Sequence, residues 1–394
     1  MLDTDAVRDR YDRFARIEAP HRSALYAQWA AGVAGDAEAR AILAGIPATH
    51  RQPPLVFAVT RMLGCGLVAY PRWAAWLRMH ADAVAAECAA RTLQTNEPLR
   101  CAALLPALSM IDGPVALLEV GASAGLCLYP DRYSYRYATD DGPLAVDPAD
   151  GVSPVVLSAR WRGAAPRLRL PEVVWRAGID LQPRRATDAA DRAWIEGLVW
   201  PGEHERAARI GAALDVVAAD GPLLVCGDAV ELLGEVAASA PRDATLVITT
   251  PGVLAHVPRA GRERIAAAAR AAGCWITLDA PGLHRAVQGE WVVPGEWAEP
   301  GHSAVPGRST VPEQSAVSGR SAVPGRSTVP GHSAVPGRSA GRRAAVPDPD
   351  PWPNGMFALA VDGQVIAAAD PLGGIVRPNG AAWEWHPDPE AATQ

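Results

Sequence analysis

Residues 115–126, VALLEVGASAGL, decide the fold of this chain. The first six are apolar except for Glu119, a pattern typical of a strand that is buried on both faces in a parallel sheet. Five small residues, 121–125, follow at once, and a short helix is predicted after them. A strand, a loop of small residues and a helix in this order predict an α/β domain. Because small side chains allow a ligand to approach the backbone, we expect this loop to bind a cofactor through its backbone N–H groups.

Composition limits the class of protein and its partners. With 394 residues, 49% of them apolar, the chain can bury a sizeable core and form two domains. The net charge of −6 gives no sign of a nucleic-acid-binding surface, and no apolar run is long enough to predict a membrane span. The N-terminus lacks the pattern of a secretory signal, and the six cysteines form no C-x-x-C pair. We therefore expect a cytoplasmic protein with structural thiols, a small-molecule ligand and no metal site, and we leave its oligomeric state open.

Two kinds of pattern divide the chain. Residues 1–110 show helical spacing and helix caps, which predict an α-helical N-terminal domain. Short apolar strands then alternate with helices, as in βαβ units, and predict a parallel sheet. An Asp-Gly pair at 362–363 joins two apolar runs and predicts a hairpin. We assign the α/β core to residues 111–298 and 345–383, with a β insertion at 131–171.

Residues 302–343 repeat a hexamer of the type RSAVPG and differ in kind from the rest of the chain. Proline, glycine and serine at this density cannot bury enough apolar surface to offset the loss of chain entropy. The repeat therefore predicts a disordered insertion, which we place at residues 299–344, between two strands of the core.

A polar cluster at residues 91–100 lies just ahead of an apolar helix. It contains Asn96, which is placed to cap that helix, together with Glu97 and Arg100. One interpretation is a helix cap with ion pairs on the surface. The other is a polar patch of the N-terminal domain that faces the cofactor loop. The pattern alone favours the first.

Acidic and small residues follow the predicted strands at their carboxyl ends, where open α/β sheets bind ligands. The candidate binding residues are Glu119, Gly121, Ser123 and Gly125 at the first strand, Asp180 at the second, and Asp228 with Ala229 after the third. His256, in the loop after the fourth strand, is the candidate for acid–base chemistry, against the alternative of a surface histidine.

This arrangement resembles the class I S-adenosylmethionine-dependent methyltransferases. Those proteins have a glycine-rich loop after the first strand and acids after the second and third, in a Rossmann-like seven-stranded sheet with a C-terminal β-hairpin. The resemblance implies S-adenosylmethionine as cofactor, with Glu119 and the loop at its methionine part, Asp180 at the ribose hydroxyls and Asp228 at the adenine amino group. Ser123 departs from the pattern, because it stands where the middle glycine of the loop is expected.

More closely, the chain resembles a bacterial family known as domain of unknown function 2332. The resemblance is carried by RTLQTNEPLRCAALLPAL at 91–108, LLEVGASAGLCLYPDRYSYRY at 117–137, WRAGIDLQP at 175–183, VWPGEHER at 199–206 and GDA at 227–229. It implies a methyltransferase-like fold and leaves the reaction and the methyl acceptor open.

Two other functions stay open on the sequence. The loop also fits G-x-S-x-G, the nucleophile elbow of α/β-hydrolases, with Ser123 as nucleophile, Asp228 or Asp279 as acid and His256 or His284 as base. The helical pattern ahead of this strand, and the absence of an H-G-G-G segment, argue against a hydrolase. The second is a non-catalytic protein of the same fold, because no catalytic base stands out.

Overall fold

Seven α-helices, with a short π-helix at Phe14–Glu18 after the first, come before the first strand in the part of the chain that the structure describes. The computed structural model describes residues 3–163, 166–283 and 355–378. The seven helices are α1 Thr4–Arg13, α2 Ala24–Gly35, α3 Ala37–Ala44, α4 Pro53–Met62, α5 Tyr70–Met79, α6 Ala81–Ala90 and α7 Arg100–Leu108. The side chains of Asp3, Ser23 and Asp36 accept hydrogen bonds from the first turns of α1, α2 and α3, as N-caps do.

One sheet and four further helices make up the rest of the described chain. The strands are β1 Pro114–Val120, β2 Ser134–Thr139, β3 Gly142–Val146, β4 Val156–Trp161, β5 Glu172–Asp180, β6 Leu223–Cys226, β7 Thr245–Pro251, β8 Cys274–Asp279, β9 Phe357–Val361, β10 Gln364–Ala369 and β11 Ile375–Pro378. The helices are α8 Ala189–Gly197, α9 His204–Ala219, α10 Ala229–Ala238 and α11 Arg259–Ala272. The strands lie in the order β3-β2-β4-β11-β10-β9-β8-β7-β1-β5-β6.

Aromatic side chains form the core of the helical region. Trp29, Phe57 and Trp73 are fully buried, and their ring centroids lie 5.4–5.5 Å apart. Trp194 of α8 and Trp200, just after that helix, belong to the same buried cluster. The helical region therefore shares its core with helices that are inserted between strands of the sheet.

Five parallel strands position the candidate site. β5 and β7 lie on either side of β1, with β6 beyond β5 and β8 beyond β7. Helices α7 and α9 cover one face of these strands, and α10 and α11 cover the other. The chain runs outward from β1 through β5 to β6 and then returns to the other side of β1 at β7. The strand order therefore reverses between β1 and β7.

The predicted seven-stranded sheet is wrong, because the described residues form eleven strands. Three of the additional strands, β2, β3 and β4, belong to the predicted insertion, and the fourth is β11. β4 pairs in parallel with β11, so the insertion extends the main sheet. The physical reason is burial of large aromatic side chains, since Tyr135, Tyr137 and Trp161 pack into the core on the α7 and α9 face.

The predicted hairpin is present in β9 and β10. Asp362 and Gly363 join the two strands with φ values of +48° and +88°. Two successive positive φ values are those of a type I′ turn, for which Asp-Gly is a preferred pair. β9 also pairs antiparallel with β8, so the hairpin directly continues the five parallel strands.

Two of the predictions lie outside the described residues, the repeat insertion at 299–344 and the candidate base His284. Within the described ranges, no helix has both the length and the apolar character needed to cross a membrane. In the same ranges, no group of three or more His, Cys, Asp or Glu side chains is arranged to hold a metal ion.

Candidate functional site

The loop after β1 meets the loop after β7 where the strand order reverses. Gly121 has a φ of +77°, and a Cβ at this position would lie 2.5 Å from a methyl carbon of Val253. In the neighbouring strand β5, a Cβ on Gly178 would lie 2.4 Å from the Cβ of Ala122. Glycine at these positions therefore allows the loop to pack directly against its neighbours.

All five backbone N–H groups of residues 121–125 donate to acceptors within the protein. The acceptors, at 2.7–3.4 Å, are the Ile179 carbonyl for Gly121 and Ala122, Asp180 Oδ2 for Ser123, Asn96 Oδ1 for Ala124, and the Ala122 carbonyl for Gly125. A loop whose N–H groups are already paired offers no cradle for a phosphate. The expectation that the loop presents free N–H groups to a ligand is therefore not met.

Asp180 ends β5 and links the loop to that strand. Its Oδ2 accepts from the Ser123 N–H at 2.8 Å, and its Oδ1 accepts from the Gln182 N–H at 2.7 Å. Gln94 Nε2 of the polar segment before α7 also donates to Oδ1, at 3.5 Å. An ionised carboxylate has lone pairs for about four hydrogen bonds, so Oδ2 can still accept another donor. The side chain is half-buried, which leaves it in reach of a ligand hydroxyl.

Glu119 lies two residues before the loop, and its side chain is buried. The residue is 4% exposed, and Oε2 has no hydrogen-bond donor among the described residues. Burial raises the pKa of Glu119 well above its usual range; Cys127 and Asp180 act in the same direction and Arg100 acts against them. A buried oxygen without a partner costs free energy, which a cationic ligand group would offset.

Ser123 has part of the geometry of a nucleophile elbow, but its hydroxyl contacts none of the partners of an elbow among the described residues. Its φ is +49°, a strained value for a residue with a side chain, as the turn of an elbow also requires. Its Oγ is buried and has no partner, histidine or other, within the described residues. The next N–H, which would belong to an oxyanion hole, is that of Ala124 and donates to Asn96. His256 is exposed in the turn after β7.

The third predicted acid, Asp228, follows β6, so the end of β5 with Asp180 lies between it and the loop after β1. Asp228 is exposed and caps α10, since its Oδ1 accepts from the Val230 N–H at 2.8 Å. The Gly227 N–H donates to the Asp180 carbonyl at 2.9 Å, which brings the turn at 227–229 beside the end of β5. Ala229 is buried in the first turn of α10.

A polar segment, residues 91–100, crosses the carboxyl ends of three strands, and we name it the strap. Its contacts, in order, are Gln94 Nε2 to the Gln182 carbonyl after β5 (2.8 Å), Asn96 Oδ1 to the Ala124 N–H after β1 (3.3 Å) and Arg100 Nη1 to the Pro251 carbonyl of β7 (2.9 Å). Of the two interpretations of this cluster, the structure agrees with a patch that faces the loop. Asn96 does not cap α7, because that helix begins at Arg100.

Glu97 fixes the strap to α9. It is fully buried, and its two carboxyl oxygens accept from Arg206 Nε at 2.8 Å and from Arg209 Nε at 3.0 Å. The Leu99 N–H donates to the same carboxylate at 3.0 Å. Removing one partner from such a buried ionic group leaves the others uncompensated, so the strap depends on Glu97 for its position.

The comparisons with known proteins point to one family. Residues 8–303 match a family described as "uncharacterized protein conserved in bacteria (DUF2332)". The chain belongs to this family. No curated protein and no solved structure matches the DUF2332 chain. The family description assigns no reaction, so the function is argued from the site.

The sequence of this DUF2332 chain indicates the acids at the strand ends, but it does not indicate which groups the strap contacts. Asn96 accepts a hydrogen bond from the loop, and Arg100 donates to the carbonyls of both Pro251 and Pro371. These partners are far away along the chain, so a local sequence pattern does not reveal them. The available signal was the concentration of polar residues in RTLQTNEPLR, directly before an apolar helix. In a protein core, such polar groups are expected to be paired.

Proposed function

We propose that this DUF2332 protein binds S-adenosylmethionine at the carboxyl ends of β1, β5 and β6 and transfers its methyl group to an acceptor whose identity the site leaves open. The observation that carries the proposal is the buried Glu119 carboxyl beside the loop, whose Oε2 lacks a donor among the described residues. The ammonium group of the cofactor would supply that donor.

The strand order supports a nucleoside-type ligand at this edge. Numbered along the chain, the five parallel strands lie in the order 3-2-1-4-5, that of doubly wound Rossmann-like sheets. Such sheets bind ligands outside the carboxyl ends of the strands, where the order reverses. Here that point lies between β1 and β7, where Gly121 packs against Val253.

The paired loop amides favour this cofactor over a dinucleotide. A pyrophosphate requires N–H groups at the loop and at the start of the following helix. In this loop all five N–H groups have protein acceptors. S-adenosylmethionine has no phosphate and carries two cationic centres, which suits a site with three acids.

The three acids have distinct roles in the proposal. Glu119 binds the ammonium group, and Asp180 accepts from the ribose hydroxyls while it keeps its bond to the Ser123 N–H. Asp228, exposed on the far side of Asp180, accepts from the adenine amino group. The bound cofactor would supply an electrophilic methyl group, and the protein's main task is alignment of the acceptor. His256, exposed after β7, is the candidate on the acceptor side.

Calorimetry with S-adenosylmethionine and its demethylated product tests the proposal. We expect the wild type to bind both, and Glu119→Gln to bind each about tenfold or more weakly, because an amide cannot ionise to form a charge-assisted hydrogen bond with the ammonium group. Glu231→Gln, which changes an exposed acid on α10, is the matched control and should bind like the wild type. Absence of binding by the wild type at millimolar cofactor, or equal binding by Glu119→Gln, contradicts the proposal.

A further inference from the structure

A cavity of about 190 Å³ is lined in part by residues 93–96 of the strap. Its other walls come from α8 and the turn that follows it, from α9, from Arg22 ahead of α2, from Pro54 of α4 and from Leu372 after β10. Neither this cavity nor a second one, of about 300 Å³, is lined by Glu119, Asp180 or Asp228. It is therefore separate from the proposed cofactor site.

The size and the walls of the cavity suit a small apolar body. Ile195, Val199, Trp200 and Ile210 supply buried apolar side chains to its lining. An apolar cavity of about 150 Å³ is large enough to bind benzene. This one therefore has room for a single ring, or an aliphatic group of similar size, with a small polar substituent.

Three side chains in the lining have spare hydrogen-bond donors. Arg22 pairs with Glu203 through Nε and Nη2, and Arg206 uses Nε for Glu97 and Nη1 for Glu203. This leaves Arg22 Nη1 and Arg206 Nη2 without an acceptor among the described residues. Asn96 is 6% exposed, and its buried Nδ2 likewise has no acceptor there.

The charges around these donors do not balance. The connected ion-pair network holds Arg22, Arg206 and Arg209 against the two acids Glu97 and Glu203. One positive charge therefore remains beside a largely apolar cavity. A monoanion would neutralise it and would accept from the spare N–H groups.

We propose that this cavity binds a small carboxylate with an apolar body of about the size of benzoate. The carboxylate accepts from Arg22 Nη1, Arg206 Nη2 and Asn96 Nδ2. The Arg22 guanidinium already lies over the Trp200 ring, 3.7 Å from its centroid, so the apolar body packs against the aliphatic side chains of the lining, Ile195, Val199 and Ile210. Asn96 also holds the Ala124 N–H, so it contacts both the ligand and the loop after β1. This proposal rests on the cavity, on the spare donors in its lining and on the excess positive charge beside it. It does not depend on the proposed cofactor.

Calorimetry with benzoate and benzamide on the full chain tests the carboxylate. The two probes have nearly the same shape, and only benzoate is charged. We expect benzoate to bind the wild type at roughly millimolar concentration and benzamide to bind at least about tenfold more weakly. Because this comparison uses the wild type, it does not depend on the folding of any variant. No benzoate binding at about 10 mM, or equal binding of the two probes, overturns the proposal.

Arg22→Gln locates the site. The Arg22 side chain is partly exposed, so the variant is expected to fold, which a thermal melt checks. Benzoate should bind it about tenfold or more weakly than the wild type. The matched control is Arg132→Gln, which changes an exposed arginine that lines the second cavity and should leave benzoate binding unchanged. Equal loss in both variants, or no loss in Arg22→Gln, overturns the assignment to this cavity.

Discussion

At the scale of single residues, the buried Glu119 makes the stability of the chain depend on pH. Its pKa is raised in the folded state and returns to about 4.3 on unfolding, so between these values the folded state holds more protons. The contribution to stability is therefore largest at low pH and falls as the pH rises above about 4.3. As the pH rises from about 5 to about 8, we therefore expect the free energy of unfolding to fall less in Glu119→Gln than in the wild type. Chemical denaturation at each pH measures this difference.

Asp279 provides the internal control for this pH dependence. Burial raises the pKa of Asp279 as well, against hydrogen bonds from the Leu254 and Ala280 N–H groups, which lower it. Asp279 is present in the wild type and in Glu119→Gln, so it lowers the free energy of unfolding of both by the same amount as the pH rises. An equal decline in the wild type and in Glu119→Gln would mean that Glu119 titrates in its usual range.

Ser123 combines backbone strain with a buried hydroxyl that has no hydrogen-bond partner in the described parts of the chain. A left-handed conformation costs a residue with a side chain about 1 kcal/mol, and Ser123 has a φ of +49°. Ser123→Gly should therefore raise the free energy of unfolding by about 1 kcal/mol, whereas Ser123→Ala keeps the strain and should gain less. Denaturant titration of the two variants beside the wild type measures the difference. A loss of stability in Ser123→Gly would show that the hydroxyl has a structural partner.

The reactivity of Ser123 distinguishes a methyltransferase-like protein from a hydrolase. A fluorophosphonate reacts with serine that a neighbouring base activates, and Ser123 Oγ has no such base among the described residues. We therefore expect no labelling of the wild type. Labelling that disappears in Ser123→Ala would favour the α/β-hydrolase instead.

At the scale of elements, the strap lacks regular structure over most of its length and is held by side chains. Glu97 is its main contact with α9, through the ion pairs with Arg206 and Arg209. Glu97→Gln keeps the shape and removes the charge, so Arg209 loses its carboxylate partner and Arg206 keeps only its ion pair with Glu203. We expect a loss of about 3 kcal/mol in the free energy of unfolding, measured by denaturation.

A second ion pair provides the comparison for Glu97. Glu231 pairs with Arg264 on the surface, with both side chains more than half exposed. Glu231→Gln should cost less than about 1 kcal/mol, because solvent screens exposed pairs. If the two substitutions cost the same, the buried pairs of Glu97 do not fix the strap.

Elements with their own local signal could be predicted from the sequence, and the strap could not. The apolar run of β1 and the Asp362-Gly363 turn each specify a structure within a few residues. The position of Asn96 depends instead on Ala124, and that of Arg100 on Pro371, 271 residues along the chain. Contacts at such separations follow from the packing of the whole fold, which periodicity and caps do not encode.

At the scale of the whole molecule, the sheet is larger than the sequence predicts because two distant segments meet. β4, part of the predicted β insertion, pairs in parallel with β11 at Arg160 and Ile375. The strand-end acids were predictable because their positions follow from the order of the five parallel strands. The extent of the sheet was not, because it depends on a pairing between segments more than 200 residues apart.

The register of β8 and β9 leads us to predict that the hexamer repeat is dispensable for folding. Asp279 pairs with Ala358 in this antiparallel ladder, so the sheet itself holds together the two ends of the connection that contains residues 302–343. Deleting 302–343 roughly halves that connection, and a loop of half the length costs about 0.6 kcal/mol less to close. We therefore expect the melting temperature to stay within a few degrees of the wild type. Deleting residues 357–369 is the contrasting variant, because it removes both hairpin strands and exposes the edge of β8, and it should not fold. A large fall in melting temperature on removal of 302–343 would mean that the repeat contributes contacts of its own to the folded state.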